Sequence, residues 1–317
     1  MRKKLPRINS LNLLRYLIYI HKISQEQNFK IILNLLIFLL GIIFNGYSRE
    51  KRDMRWEKAE TLVGKIAYTK AFKDSLLNAY NINNYNNLRK ILHTVHHKKE
   101  KLVYDGGWGF LRAGFGIFDM TLNKDSGLIL LEGKAVTNNF VSAFFKVRDY
   151  VRTPIDLNGF YPFFFEQHIR ENRYKKDTWV IYDHSNGKVY SNRTKDSTDY
   201  TVSPFTHNYL SLLYYLRSVE FAPGDTFSVN CFVHGKDYPI FFRALKREEV
   251  KVKAGIFKCI KVEPKLVGEG KGFTKRDKMY LWFTDNKDHI LVKAKSKIAI
   301  GWISAHLIAI RRDGMND

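Results

Sequence analysis

Cysteine is nearly absent from this chain: Cys231 and Cys259 are the only two among 317 residues. Two thiols cannot form the dense disulfide framework of small secreted domains, and their separation fits no zinc-site spacing. Two readings of the pair stand: a single disulfide between neighbouring strands of an exported protein, or two buried small hydrophobes. Catalytic signatures are missing as well. There is no GxSxG, Walker loop, dinucleotide fingerprint or HExxH, and the carboxylates are scattered along the chain. No catalytic residue, metal ligand or cofactor is therefore assigned. The recognition-helix, zinc-finger and aromatic RNA-binding patterns are lacking too, so no specific nucleic-acid partner is expected.

Acidic residues are the scarce charge. Lys and Arg number 53 against 31 Asp and Glu, for a net charge of +22. Residues 1–100 carry 19 basic against 7 acidic side chains, so the bias is densest in the first third. Such a balance suits anionic lipid or an acidic polymer, and it also fits a plain compositional bias toward Lys and Asn.

No apolar run reaches the length of about 20 residues that a membrane-spanning helix wants. Residues 31–44, IILNLLIFLLGIIF, have instead the length of a signal-peptide apolar region, and Gly46-Tyr47-Ser48 follows with small residues suited to cleavage. Residues 1–48 are thus read as a signal peptide, or as an N-terminal anchor giving membrane contact through 31–44 if uncleaved. Residues 49–99 read as a basic helical segment. Trp56, Ala59, Val63 and Ile66 share one helical face, and Tyr85, Leu88, Leu92 and Val95 share another. His93, His96 and His97 end the second helix, where exposed histidines are favoured over metal ligands.

What the chain does have is strand after strand. Residues 101–122, KLVYDGGWGFLRAGFGIFDMTL, hold five glycines and five aromatics and read as a bent strand or strand pair opening a β-rich domain at 100–312, with a tail at 313–317. Further strands are expected over 127–137, 145–152, 163–171, 173–183, 188–191, 226–233, 238–247, 256–262, 279–283, 289–293 and 298–310. In the strand at 226–233, Phe227, Val229, Cys231 and Val233 share one face, whereas the strand at 298–310 is apolar on both faces and belongs in the middle of a sheet. One helix interrupts the series, with Ser203-Pro204 opening 205–219. This series of strands with one embedded helix predicts a mainly β fold: a curved antiparallel sheet or open half barrel.

Candidate ligand-binding residues come from polar or aromatic side chains in apolar strands. Arg148-Asp149 in FKVRDYV puts opposite charges where burial demands partners, and Arg217 ends the helical segment LSLLYYLR. Each reads as a structural ion pair or as a polar ligand contact. Trp108, Phe163, Phe165 and Trp282 are the aromatic candidates, with 161–165, YPFFF, read as core or as a cavity wall. An enzymatic reading would need Arg148, Asp149 and a histidine such as His168 to converge.

The ordered set LVYDGGWGFLRAGFG, FKVRDYV, FYPFFFEQHIRENRY, WVIYD, YLSLLYYLR, APGD, AGIFKCIKVEP, MYLWFTDN and KIAIGWISAHL resembles a bacterial family of exported proteins labelled domain of unknown function 3108. The resemblance spans roughly residues 100–310. It implies a β-rich, half-open barrel and transfers no catalytic residue, and the segment 49–99 departs from the compact form of the family. The expectation is an exported, non-enzymatic envelope protein of the periplasm or outer-membrane periphery, or else held in the inner membrane. It would bind a lipid, lipoprotein or other amphipathic ligand within a curved sheet. The alternative is an interaction module that binds an anionic polymer or envelope protein through its basic surface.

Overall fold

A computed structural model describes residues 73, 74, 78, 97–109, 111–143, 145–191, 199–233, 235–266, 278–297 and 301–313. The run at 31–44 and the cleavage position after it lie outside the described residues. So do the two helices expected over 54–98, apart from helical positions at Lys73, Asp74 and Asn78.

The strands are β1 (Lys99–Trp108), β2 (Leu111–Asn123), β3 (Leu128–Thr137), β4 (Arg148–Asp156), β5 (Phe164–Glu171), β6 (Tyr174–Asp183), β7 (Lys188–Ser191), β8 (Asp199–Thr201), β9 (Thr226–Val233), β10 (Lys236–Val252), β11 (Gly255–Leu266), β12 (Met279–Thr284), β13 (Leu291–Lys297) and β14 (Trp302–Arg312). Two helices join them, α1 (Asn139–Ser142) and α2 (Tyr209–Leu216). All fourteen strands form one sheet in the order β8-β7-β6-β5-β4-β3-β2-β1-β14-β13-β12-β11-β10-β9. Every ladder is antiparallel, so the sheet is an up-and-down meander whose first strand pairs with its last. The half-open barrel is therefore the observed fold. The fourteen strands exceed the twelve segments expected, because 101–122 is a full hairpin and β8 is too short to show a sequence period.

The hairpin β1–β2 explains two of its glycines directly. Gly109 takes φ +57 at the turn, a left-handed conformation that costs other residues more. Gly114 lies so close to β3 that a Cβ there would overlap the Val136 carbonyl. A register shift opposite Gly106 and Gly107 leaves Ala113 as an extra residue, a bulge in β2 that increases local twist.

The two open edges, β8 and β9, are consecutive in the chain, and α2 lies on the connection between them. The helix packs against β3, β4 and β9 within the concave face. Tyr209, Leu210, Ser211, Leu212, Leu213, Tyr214 and Leu216 are all buried, so the helix is covered all round and has no solvent stripe. Its start differs from the Ser203-Pro204 expectation. Phe205 has φ +56, and His207 bridges Cys231 in parallel, with its N–H donating to the Asn230 carbonyl at 2.8 Å. The chain thus runs beside β9 first and coils only after Asn208. That residue is the N-cap, its Oδ1 accepting from Leu210 N at 3.0 Å and Ser211 N at 2.9 Å, and Asn208 N in turn donates to Ser211 Oγ at 3.1 Å.

At its other end α2 is locked by charge. Arg217, the C-cap, gives Nη1 to Glu100 Oε1 at 2.6 Å and Nη2 to Glu100 Oε2 at 3.1 Å. Arg312 of β14 reaches the same carboxylate at 2.8 Å and Asp288 at 3.0 Å. Burial alone would raise the Glu100 carboxyl, but the two guanidinium groups outweigh it and hold the group below its ordinary range. Replacing Arg217 by Met should cost roughly 3–5 kcal/mol, because it leaves a buried carboxylate with half its partners. Urea denaturation of the variant against wild type measures this. A loss below about 1 kcal/mol would mean the lock is dispensable.

Candidate interaction site

Alternation along a strand decides which side chains can meet. On β11, Ile260 and Val262 enter the main core, so Lys261 between them faces outward. On β12, Leu281 and Phe283 point in, so Tyr280 and Trp282 point out. On β13, Ala294 is internal, and its neighbours Lys293 and Lys295 are on the outer face. On β14, Ile303, Ala305 and Leu307 are internal, and Trp302, Ser304 and His306 are external. Pairing brings these outward positions into rows. Lys261, Trp282, Lys293 and His306 lie side by side across four strands, and Tyr280, Lys295 and Ser304 form the next row.

Basic and aromatic side chains thus alternate over the convex face. Lys261 Nζ sits 3.9 Å from the Tyr280 ring centroid and 5.1 Å from that of Trp282. Lys293 Nζ is 5.0 Å from Trp282, and Lys295 Nζ is 4.6 Å from Trp302. Each contact places an ammonium on a ring quadrupole while its hydrated side still faces solvent. Trp282 is buried beneath them, and its indole N–H donates to Glu248 of β10. Among the described residues none of Lys261, Lys293 and Lys295 makes an ion pair with a carboxylate; Glu248 is paired with Lys246 at 2.6 Å. Burial, and then the neighbouring Lys295, lower the Lys293 ammonium. Burial, followed by Lys293 and Arg112, pushes His306 down to about 4, so its ring is neutral at pH 7. The strip is a fixed excess of positive charge on a rigid aromatic bed. Chemically it can hold anionic groups.

The seven candidate residues are not gathered together. Trp282 alone belongs to this strip. Phe165 and Asp149 face the concave side, whereas Phe163 joins Tyr161, Phe164, Leu128 and Ile181 in a smaller, separate core cluster. YPFFF is therefore packed core. Trp108 stands at the β1–β2 turn, packed against the main core, and Arg217 is committed to Glu100. Arg148 and Asp149 are adjacent in β4 and so point to opposite faces. They do not pair with each other: Arg148 donates to the Thr137 carbonyl at 3.2 Å, and Asp149 accepts from Arg170 N at 2.8 Å. His168 is likewise on the outer side, bonded to Asp177 at 2.6 Å, so the Arg148–Asp149–His168 convergence does not form. Cys231 and Cys259 are both free, buried thiols, Cys231 in the main core and Cys259 in a small cluster with Trp282. Among the described residues no group of three or more His, Cys, Asp and Glu is arranged to hold a metal, and no helix is long and apolar enough to cross a membrane.

An open cleft of about 580 Å³ lies at the end where α2 meets the β12–β13 connection. Arg217, Asp225, Asp285, Lys287 and His289 line it, and this mixture of signs selects no ligand charge.

The family model described as "Protein of unknown function (DUF3108)" matches residues 103–308. The chain belongs to this family. No curated protein matches the DUF3108 chain. Its fold is similar to the crystal structure of a beta-barrel-like protein of domain of unknown function DUF1849 from Brucella abortus, with a TM-score of 0.51 at 9% identity over 69% of this chain and 99% of that one. A candidate lipoprotein from Parabacteroides distasonis gives a TM-score of 0.32 at 10% identity, covering 70% of this chain and 99% of that one. A Bacteroides fragilis protein with a YmcC-like fold gives 0.31 at 9%, covering 70% and 100%. At those two scores the likeness adds nothing to the fold.

Asp149 and Glu171 form a second polar feature, facing inward near α2. Burial pushes the Asp149 carboxyl up to about 7, and burial together with Asp149 pushes Glu171 up to about 9. Glu171 Oε1 has no hydrogen-bond partner. Both groups hold protons in the folded state that the unfolded chain has already released, so stability falls as pH rises from about 4 toward 9, by at most about 1.4 kcal/mol per pH unit for each carboxyl. Glu171→Gln should flatten the upper part of that decline and raise Tm at pH 9. Thermal melts of both proteins from pH 5 to pH 9 are the test, and parallel curves would show that Glu171 is not the group responsible.

Proposed function

We propose that this DUF3108 protein is an exported, non-enzymatic component of the bacterial envelope that binds an anionic polymer along the convex strip of Lys261, Lys293 and Lys295. The observation that carries the reading is the set of three lysines seated on Tyr280, Trp282 and Trp302 with no ion-pair contact to a carboxylate among the described residues, the nearby Glu248 being paired with Lys246. Ring contacts hold the ammonium groups in place, so little side-chain freedom is lost on binding. Lys261 and Lys293 lie two strands apart, about 10 Å, and Lys295 stands about 7 Å further along β13, so the charges are spread over a strip that an extended polyanion can follow. The apolar run at 31–44 and the small residues after it support export. The reading in which a lipid lies within the curved sheet has less support, because α2 and its core neighbours occupy that space.

The probe is a fluorescent polyglutamate titrated with the full chain. Binding should weaken steeply with added salt, since screening removes the Coulombic attraction. K261E/K293E/K295E should weaken it more than tenfold, whereas K124E/K287E, at the opposite end of the barrel, should leave it within twofold. Salt-insensitive binding, or equal loss in both variants, would sink the reading.

A further inference from the structure

We propose that the end of the barrel bearing the β1–β2 turn docks onto an anionic lipid surface. The inference is independent of the polymer strip. It starts from two exposed apolar side chains, Leu111 at 37% and Phe140 at 67%. Leu111 opens β2 at the hairpin turn, and Phe140 lies on α1. Sequence separates them, but Asn138 brings them to one place, its N–H donating to the Ala113 carbonyl at 3.0 Å and its Nδ2 to the Arg112 carbonyl at 2.7 Å.

Both tips are held rather than loose. Asn138 Oδ1 caps α1 by accepting from Val141 N at 2.9 Å, and Ser142 Oγ meets Thr137 Oγ1 at 2.7 Å. Gly109 N donates to the Trp302 carbonyl at 3.1 Å, tying the turn to β14. Two apolar side chains held side by side at one end form an exposed patch available for contact.

Charge around the tips identifies the partner. The same end carries Lys146, Arg148, Arg173, Lys236, Lys278 and Lys297, all exposed. Backbone bonds set them in neighbouring pairs: Asn172 N donates to the Lys146 carbonyl at 2.8 Å, and Lys297 N to the Lys278 carbonyl at 2.7 Å. Among the described residues the carboxyls nearest these bases are Glu171, which is buried, and Asp237, which is half-buried and accepts from Ser203 N at 2.7 Å and Asn230 Nδ2 at 3.0 Å. The opposite end is balanced: Asp125, Glu220, Asp225, Asp285 and Asp313 are exposed there, but so are Lys98, Lys99, Lys124, Lys287 and Arg311. With apolar tips inside a basic collar at one end and balanced charge at the other, the first end is the one that suits a negatively charged bilayer. Headgroup phosphates suit the collar, and the acyl boundary suits Leu111 and Phe140.

The experiment uses the full chain, whose two native thiols are buried, with one environment-sensitive fluorophore at Leu111→Cys or at Asp125→Cys. Vesicles of equal parts phosphatidylglycerol and phosphatidylcholine carry a nitroxide-labelled lipid as quencher. The probe at 111 should be quenched severalfold more than the probe at 125, and phosphatidylcholine alone should abolish the difference. Adding Phe140→Ser or K146E/R173E should reduce quenching at 111 while leaving polyglutamate binding unchanged. Equal quenching at both positions would mean attachment by another part of the chain, and no quenching at 111 would mean no docking. Either result overturns the proposal, and neither bears on the polymer strip.

Discussion

A curved meander whose two edge strands do not pair has to fill the gap between them and cover its own interior. Here both tasks fall to one eight-residue helix, α2, inserted between β8 and β9. An isolated helix this short would not hold together in water. It persists because it is capped by Asn208 and Ser211 at one end, pinned through Arg217 to Glu100 and Arg312 at the other, and surrounded by core along its length. Glu100 lies on the first strand and Arg312 on the last, so the same carboxylate also reinforces the ladder that joins the two ends of the domain. The edges themselves approach through side chains, with Tyr200 of β8 and Phe232 of β9 at 5.3 Å between ring centroids.

Once the inside is full, binding chemistry is left to the outside. The convex face is not uniformly polar. Tyr161, Phe163 and Phe164 form one small cluster, and Val250, Cys259, Trp282 and Val292 form another, where the far half of the β10–β11 hairpin folds back over β12 and β13. That second cluster is what gives the lysines of β11 and β13 an aromatic bed. Ala254 N donates to the Leu307 carbonyl at 3.3 Å, at the point where the β1–β14 register slips and leaves that carbonyl available. The bulge thus serves the hairpin as well as the curvature.

Much of the fold was legible from local pattern. Residues 188–191 and 226–233 are strands with the expected bounds, and Val229, Cys231 and Val233 share a buried face as their alternation requires. The strand at 298–310 was expected to be central because both phases are apolar, and β14 does lie between β1 and β13. The helix was misplaced by several residues, since Ser203-Pro204 is a sound local start signal that a bridge from His207 to β9 overrides. The strip was only half visible. Lys293 and Lys295 in β13, and Tyr280 and Trp282 in β12, already alternate with period two. What no single strand reveals is which neighbour lies opposite.

By itself the sequence determined the class of the domain, most of its strands and the membership of a family, because strand periodicity and turn chemistry act over a few residues. It also determined that no familiar catalytic motif is present. Only the tertiary structure decided that Arg148 and Asp149 part to opposite faces, that Arg217 closes on a carboxylate from the first strand, and that lysines from β11 and β13 share the rings of β12. These depend on register and on contacts between residues far apart in the chain. A shift of one residue in any ladder would have exchanged inside for outside.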